Sequence, residues 1–228
     1  MTRPSYLRRT IASVILLIVS AVVVLCVYAL SIRAQASRIL QDISSLRVGI
    51  STQSDVERLA QQQKRQLAWK KCEAESCDYL FEIRNNWLYR MRIEPATRFH
   101  AWVTVADGRV KSLHADIMRD TRIFPTAPSG GMVEEYAKYP KEYRAGETHY
   151  GFPTPVGKPY LVVVLDSEAT PEERRHAYAF SLTCLVKPGG GCDLPCDYLP
   201  LAWKDWEAEL ISRGFGFDGY YPSRARCE

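Results

Sequence analysis

The sequence predicts an α+β protein with a single N-terminal transmembrane helix and stalk, followed by one extracytoplasmic domain that has a mainly antiparallel sheet flanked by helices. Three observations lead to this class. A run of 22 residues near the N-terminus carries no charge, several short segments alternate between apolar and polar residues as strands do, and helix-start signals stand on both sides of those segments.

The uncharged run covers residues 11–32. At about 1.5 Å per residue, a helix of this length spans roughly 33 Å, which is enough to cross the hydrocarbon core of a bilayer. A buried core helix would show a polar stripe, whereas this run has only the scattered hydroxyls of Ser13, Ser20 and Ser31. We therefore expect the lipid bilayer to be the partner of residues 11–32.

A cleaved signal peptide is the alternative interpretation of this N-terminus. Residues 1–10 form a basic tail, and Ala34-Gln35-Ala36 has the small residues of a cleavage site. The apolar run is longer than the roughly 7–15 residues of a signal-peptide core, which favours a retained signal anchor.

Residues 33–47 are predicted to form an amphipathic stalk helix, because Ile39, Leu40, Ile43 and Leu46 recur at helical spacing. Such a stalk would hold the following domain, residues 48–228, off the bilayer surface.

The basic charge of the chain belongs to its N-terminal part. Residues 1–47 contain six of the 30 basic residues and one of the 26 acidic residues, which leaves the rest of the chain at a net charge of −1. A domain without excess positive charge has no electrostatic footprint for a phosphate backbone, and we expect no nucleic-acid partner.

One of the seven cysteines, Cys26, lies in the predicted span. The other six fall in the domain and are predicted to form disulfides: Cys72, Cys77, Cys184, Cys192, Cys196 and Cys227. An even number of thiols in local groups is typical of an oxidising compartment. This predicts a single-pass protein of the cytoplasmic membrane, with the basic tail inside and the bulk of the chain outside.

The sequence leaves the pairing of these cysteines open. Cys72 and Cys77 are expected to pair across the short loop between them, and the Gly-rich tract after Cys184 allows Cys192 or Cys196 to fold back onto it. A zinc site is the alternative, but it favours the spacing C-x₂-C, whereas the chain has C-x₄-C and C-x₃-C. We therefore predict disulfides and no cofactor.

The first helix of the domain is predicted over residues 53–70, because Thr52 and Asp55 form a capping-box pattern. The stretch Leu46-Arg-Val-Gly-Ile-Ser-Thr-Gln-Ser-Asp-Val resembles the opening of small periplasmic modules of the β-lactamase-inhibitor-protein type, which place a glycine and a hydroxyl cap before their first helix. The resemblance covers residues 46–56 and leaves the six cysteines and the long C-terminal part unexplained. It implies a helix followed by a meandering antiparallel sheet and a binding role.

Strands are predicted over residues 79–83, 87–93, 99–105, 110–117, 161–165 and 178–186, with a hairpin turn at Asn85-Asn86. Residues 120–159 form a long Pro-, Gly- and Tyr-rich connection with one short helix at 132–139. Thr170-Pro171-Glu172-Glu173 begins another helix. The last helix is predicted to begin near Pro200, to end at Gly214, and to turn Ala202, Trp203, Trp206, Leu210 and Ile211 towards the core.

The hairpin at Asp107-Gly108 predicts which side chains share a sheet face. A three-residue loop with Gly108 in the left-handed region buries Leu113, Ala115 and Ile117, whereas a two-residue Asp-Gly loop would bury polar residues instead. The three-residue register places His100 opposite His114 and Arg98 opposite Asp116, beside Trp102.

Two imidazoles and a carboxylate on adjacent strands are a donor set for a divalent metal, and His100, His114 and Asp116 are the candidate ligands. The competing interpretation is a solvated or loop-covered sheet face with an Arg98–Asp116 ion pair. Gly151 to Lys158 lacks the spacing of a phosphate-binding loop, and the G-x-S-x-G and H-E-x-x-H motifs are absent from the sequence.

Aromatic residues in and near the long connection are candidate binding residues, because exposed aromatics supply large contact area at low entropic cost. They are Tyr136, Tyr139, Tyr143, Tyr150 and Phe152. The structural alternative is that they fasten the connection to the domain. The function expected from the sequence is binding of an unknown protein or glycan, or a role in envelope assembly, and the sequence favours binding over enzymatic activity. The alternative is a metal-assisted extracytoplasmic hydrolase that uses His100, His114 and Asp116.

Overall fold

A computed structural model describes residues 4–91, 96–119, 129–138, 149–151, 160–187, 192 and 194–212, with the backbone alone for 4–8, 88, 149–151 and 210. Six α-helices are described: α1 (Pro4–Ser45), α2 (Gln53–Gln62), α3 (Asn86–Arg90), α4 (Pro171–Ala177), α5 (Pro195–Tyr198) and α6 (Pro200–Ser212). A 3₁₀ turn covers Leu182–Leu185. The described strands are β1 (Leu67–Glu73), β2 (Ser76–Arg84), β3 (Thr97–Ala106), β4 (Arg109–Arg119), β5 (Ser129–Tyr136), β6 (His149–Gly151) and β7 (Tyr160–Asp166).

The described strands form one mixed sheet in the order β1-β2-β3-β4-β5-β7-β6. Strands β1 to β5 make an antiparallel meander, β7 lies parallel to β5, and β6 pairs with β7 in the antiparallel sense. The α+β class is confirmed. The helix and antiparallel meander that the resemblance implies are both present, whereas the parallel pairing lies beyond it.

Helix α1 is continuous over 42 residues and combines two environments. Its first part includes an apolar window with a mean hydropathy of 3.0 and no buried residue, so the helix is long and apolar enough to cross a membrane. From Ile32 onwards one face is buried in the domain core, and its members Ala36, Ile39 and Ile43 are fully covered. The segment predicted as a stalk is helical to Ser45, and its apolar face packs into the domain core.

Arg174 of α4 joins the end of α1 to the sheet. Its guanidinium donates to the carbonyl oxygens of Ser44 (3.3 Å) and Leu46 (2.8 Å), which lie at the C-terminal end of α1. It also forms a 2.8 Å ion pair with Glu135 of β5, which is 1% exposed. Burial raises the pKa of Glu135, while Arg174 and the hydroxyl of Tyr178 act in the opposite direction. One cation therefore caps a helix end and compensates a buried carboxylate.

Both capping boxes read from the sequence are present, at Thr52 with Asp55 and at Thr170 with Glu173. The helix predicted over 53–70 ends at Gln62, however, and β1 follows from Leu67. The backbone of β1 pairs with β2 in a tight hairpin, and this pairing overrides the helix predicted beyond Gln62.

The predicted helix at 132–139 is wrong, because residues up to Tyr136 belong to β5 and pair with both β4 and β7. The predicted strand at 87–93 and the turn at Asn85-Asn86 are also wrong over the described residues. Residues 86–90 form α3, and the buried Oδ1 of Asn85 accepts a hydrogen bond from the Thr97 amide. Residues 92 and 93 lie outside the described residues.

The strand predicted at 178–186 is a loop followed by the 3₁₀ turn. The alternating residues Tyr178, Phe180, Leu182 and Cys184 are buried as the pattern indicated. They pack into the main core, where Phe180 meets Phe99 of β3 edge to face and the 3₁₀ turn contacts α1 and β3, and the segment pairs with no described strand. In the last helix, Ala202, Trp203 and Trp206 are buried as predicted, but Ile211 is 54% exposed. The side chain of Leu210 and the predicted end at Gly214 lie outside the described residues.

A fragment that begins at residue 48 should fail to fold, whereas one that begins at residue 31 should fold. The shorter fragment lacks the buried Ile32, Ile39, Leu40 and Ile43, each of which stabilises the core by about 2 kcal/mol. Their sum is comparable with the roughly 5–15 kcal/mol that holds an average domain together. Near-ultraviolet circular dichroism during urea denaturation distinguishes the two, and equal cooperative transitions would contradict the placement of α1 in the core.

Arg174→Ala should destabilise the full chain by about 3–5 kcal/mol, because it leaves the carboxylate of Glu135 buried without its cation. The matched control is Arg175→Ala, whose side chain is 69% exposed and pairs with an exposed Glu172. That change should cost no more than about 1 kcal/mol. Urea denaturation provides the measurement. The double variant Arg174→Met with Glu135→Leu should recover most of the loss, and a loss equal to that of Arg174→Ala would contradict the role of the pair.

Candidate functional site

The β3–β4 hairpin sets the register of the candidate site. Its loop has two residues, Asp107 and Gly108, with φ angles of 52° and 71°, and positive values at both positions are typical of a type I′ turn. An irregularity between Thr104 and Val105 then shifts the ladder by one residue. The three-residue loop predicted from the sequence is therefore wrong. The prediction used the longer loop to bring Leu113, Ala115 and Ile117 onto the core face, whereas the bulge produces this one-residue shift behind a two-residue loop.

This register pairs His100 with Asp116 and Trp102 with His114, while Arg98 faces Met118. The predicted pairs His100–His114 and Arg98–Asp116 are therefore wrong, because the actual partner on β4 lies two residues further along the chain in each case. The assignment of faces is confirmed, since Leu113, Ala115 and Ile117 are all buried on the core side. We call the opposite side, which carries His100, Trp102, His114 and Asp116, the outer face.

A row of acids and histidines crosses four strands of the outer face. His100 lies between Glu82 (Nε2 to Oε1, 2.9 Å) and Asp116 (Nδ1 to Oδ1, 3.2 Å). His114 lies between Asp116 (Nε2 to Oδ2, 2.8 Å) and Glu134 (Nδ1 to Oε1, 3.4 Å). The contact between Asp116 Oδ1 and His100 is close but poorly aligned for a hydrogen bond, and this buried oxygen has no other partner among the described residues. We call these five residues the charge network.

The histidines of the charge network are held in their protonated form. Burial by itself would lower the pKa of His114, but its bonds to Asp116 and Glu134 raise that pKa to about 9. Burial likewise opposes a charge on His100, and Asp116 and Glu82 raise its pKa above the ordinary value. Because both nitrogens of each ring face carboxylates, we assign both rings as imidazolium.

The carboxylates of the charge network are held ionised. Burial would raise the pKa of Asp116, but His100 and His114 lower it. Burial also acts against Glu82, where Arg84 and His100 lower the pKa. The hydrogen bond from His114 lowers the pKa of Glu134. The outer face therefore holds alternating charges that compensate one another.

The structure brings the predicted metal ligands His100, His114 and Asp116 together. A metal ion would need a lone pair from each imidazole, and all four ring nitrogens are directed at carboxylates. Within the ranges that the structure describes, no group of three or more such side chains has an arrangement that holds a metal ion. The geometry of this cluster is that of an ion network.

Beside the charge network lie Trp69 of β1 and Trp102 of β3, with Leu80 of β2 between them. We call these three residues the aromatic row, after its two indole rings. The two indole rings meet edge to face, with 5.2 Å between their centroids. Trp102 is 39% exposed, and its Nε1 donates to Oδ1 of Asp78 at 3.3 Å. Sequence reasoning missed Trp69 because it assigned this residue to a helix. The signal that finds it is the alternation of Leu67 and Trp69 just before Cys72.

Towards β7, the same outer face of the sheet is buried. Tyr160, Val162 and Val164 of β7 form a second apolar cluster, against which Met118, Met132 and Tyr136 pack. Of the predicted binding aromatics, Tyr136 joins this cluster and donates to Oε2 of Glu134 at 2.9 Å. Tyr139, Tyr143, Phe152 and the side chain of Tyr150 lie outside the described residues. The exposed part of the outer face is thus formed by β1 to β3.

Two disulfides have both cysteines among the described residues. Cys72 pairs with Cys77 across the β1–β2 turn, and Cys184 pairs with Cys192. Both pairs agree with the sequence, which left the partner of Cys184 open. Cys196 is buried and disulfide-bonded, and Cys227 lies outside the described residues. Cys26, on the exposed part of α1, is free.

No family model, curated protein or solved structure matches this chain. Its function must therefore be inferred from the arrangement of its own residues.

His114→Ala should destabilise the full chain by about 2–3 kcal/mol near neutral pH, because it removes one of the two cations that compensate the buried Asp116. The pKa of His114 is raised from 6.5 to about 9 on folding, so its contribution is complete below pH 6.5 and disappears as the pH rises through about 9. The contribution of Asp116 has the opposite sign of pH dependence, since its pKa is lowered and acid removes it.

The test of this prediction is urea denaturation at several pH values. The difference in stability between the natural chain and His114→Ala should shrink as the pH passes about 9. The control is Lys111→Ala, which removes an exposed ion pair with Asp107 outside the network. A difference that stays constant across this pH range would contradict the imidazolium assignment.

Proposed function

We propose that the protein is a single-pass, membrane-anchored binding protein, and that the exposed part of its outer face binds a protein or glycan partner of the cell envelope. The observation that carries this proposal is the aromatic row on β1 to β3. Trp69 and Trp102 present large ring surfaces next to the polar groups of Asp78 and Thr104. Aromatic side chains with adjacent hydrogen-bonding groups are enriched in binding surfaces.

The charge network supports this function by keeping the surface rigid. His114 stands opposite Trp102, and its ion pair with Glu134 links β4 to β5 beside the exposed strands. A surface whose side chains are already ordered loses less conformational entropy when a partner binds. Because the positive and negative charges compensate one another, the face favours a partner with little net charge.

The helix and the disulfides support the proposed location. The exposed apolar part of α1 suits a bilayer, and two disulfides suit an oxidising compartment. We infer that the basic tail is cytoplasmic and that the domain lies on the outer side of the cytoplasmic membrane.

The geometry favours binding over the metal-assisted hydrolase that the sequence left as an alternative. In a hydrolase of that kind, neutral imidazoles would coordinate the metal through free lone pairs. In His100 and His114, both ring nitrogens instead face carboxylates, so no lone pair is directed at a metal position.

The test is photo-crosslinking in intact cells with the full chain. A photoreactive amino acid at position 102, on the outer face, should yield an adduct of discrete mass. The same amino acid at position 211, where Ile211 is 54% exposed on α6, is the matched control. Trp69→Ala should weaken the adduct at position 102, because it removes the indole that remains of the Trp69–Trp102 pair. Equal adducts at both positions, or an adduct that persists unchanged in Trp69→Ala, would contradict the proposed face.

A further inference from the structure

The short helix α3 lies against α1 at the end of the predicted membrane span. The rings of Trp87 and Tyr28 are 5.7 Å apart, and the backbone amide of Trp87 donates to the Tyr28 hydroxyl at 3.3 Å. Helix α3 connects β2 with β3, so this contact brings one end of the sheet to the membrane-spanning helix. The domain therefore reaches residues that the sequence assigns to the lipid.

The burial of α1 shows how far this contact extends. Leu25, Tyr28 and Ala29 are half-buried and Ile32 is buried, at the spacing of one helix face, while the residues between them are exposed. A bilayer core takes about 20 residues of helix. Counted from Thr10, which follows the last charge of the basic tail, that length ends at Ala29. Tyr28 and α3 are therefore level with the boundary between acyl chains and headgroups.

The side chains that α3 leaves uncovered suit that boundary. Trp87 is 46% exposed, Tyr89 is 52% exposed and Met91, directly after the helix, is 43% exposed. In water these neighbouring apolar surfaces would be unfavourable, whereas tryptophan and tyrosine concentrate where headgroups meet acyl chains. Arg90 is exposed between them, and a guanidinium at this depth can extend to lipid phosphates.

We propose that residues 86–91 dock on the phospholipid bilayer, with Trp87, Tyr89 and Met91 inserted at the headgroup boundary. The domain then sits directly on the membrane and has two attachments to it, the spanning helix and α3. A second attachment limits the tilt of α1 in the bilayer, so the outer face keeps a fixed inclination to the membrane. This docking is independent of the partner proposed for the outer face.

The natural tryptophans allow a direct test with the full chain. The five tryptophans are Trp69, Trp87, Trp102, Trp203 and Trp206, and none lies in α1. Lipid contact of the spanning helix alone therefore leaves tryptophan fluorescence unchanged. The protein is reconstituted into phosphatidylcholine vesicles whose acyl chains carry bromine, which quenches nearby indole rings. Vesicles of the same lipid without bromine are the reference.

Bromine should quench part of the tryptophan emission of the natural chain, and more strongly when it is placed near the headgroup than near the chain end. Trp87→Phe should lose this quenched fraction. Trp102→Phe is the matched control, since Trp102 has similar exposure but lies on the outer face, and it should keep the fraction. Phenylalanine preserves the packing against Tyr28, and a urea midpoint like that of the natural chain verifies folding.

Two results would overturn the proposal. One is the absence of quenching in the natural chain, which would place α3 in water. The other is quenching that survives in Trp87→Phe, which would place a different tryptophan in the lipid. Neither result bears on the crosslinking at position 102, so the docking and the proposed function fail separately.

Discussion

The burial of α1 against the sheet is the constraint on which the rest of the structure depends. A single helix is the candidate membrane span in its first part and, from Ile32 onwards, part of the domain core. Because the helix is continuous, the same element carries the apolar segment and one wall of the core. The Arg174–Glu135 pair strengthens this arrangement, because it holds the end of α1 against β5 through a buried charge that tolerates little displacement.

The two faces of the sheet are specialised by what covers them. The core face meets α1 and the C-terminal helices and is mainly apolar; its buried polar residues on the strands are Thr97, Arg119, Ser129 and Glu135. The outer face carries alternating charges over β2 to β5 and an aromatic row over β1 to β3. Buried charges of this kind are retained when each has its partner, and here every imidazole has two. The partly exposed rings of Trp69 and Trp102 lie beside these charges, and the proposed binding surface rests on them.

The proposed docking of α3 also orients the sheet relative to the membrane. With α3 at the headgroup boundary, the strands rise from the lipid and the β3–β4 hairpin lies at the far end of the sheet, near the point where α1 ends. The outer face is then presented beside the membrane at a fixed inclination. A partner confined to the same envelope would meet that face without a large loss of orientational freedom.

The sequence by itself determined the features that depend on neighbouring residues. Local spacing accounts for the apolar run of α1, the capping boxes at Thr52 and Thr170 and the Cys72–Cys77 pair. It also accounts for the alternation that buries Leu113, Ala115 and Ile117. Tertiary structure alone decided that residues 32–46 enter the core, that residues 129–136 form a strand, and that a bulge pairs His100 with Asp116. The physical reason is that these outcomes depend on partners distant in sequence. A helical or alternating pattern shows that a face will be buried, but only the folded sheet decides what covers that face.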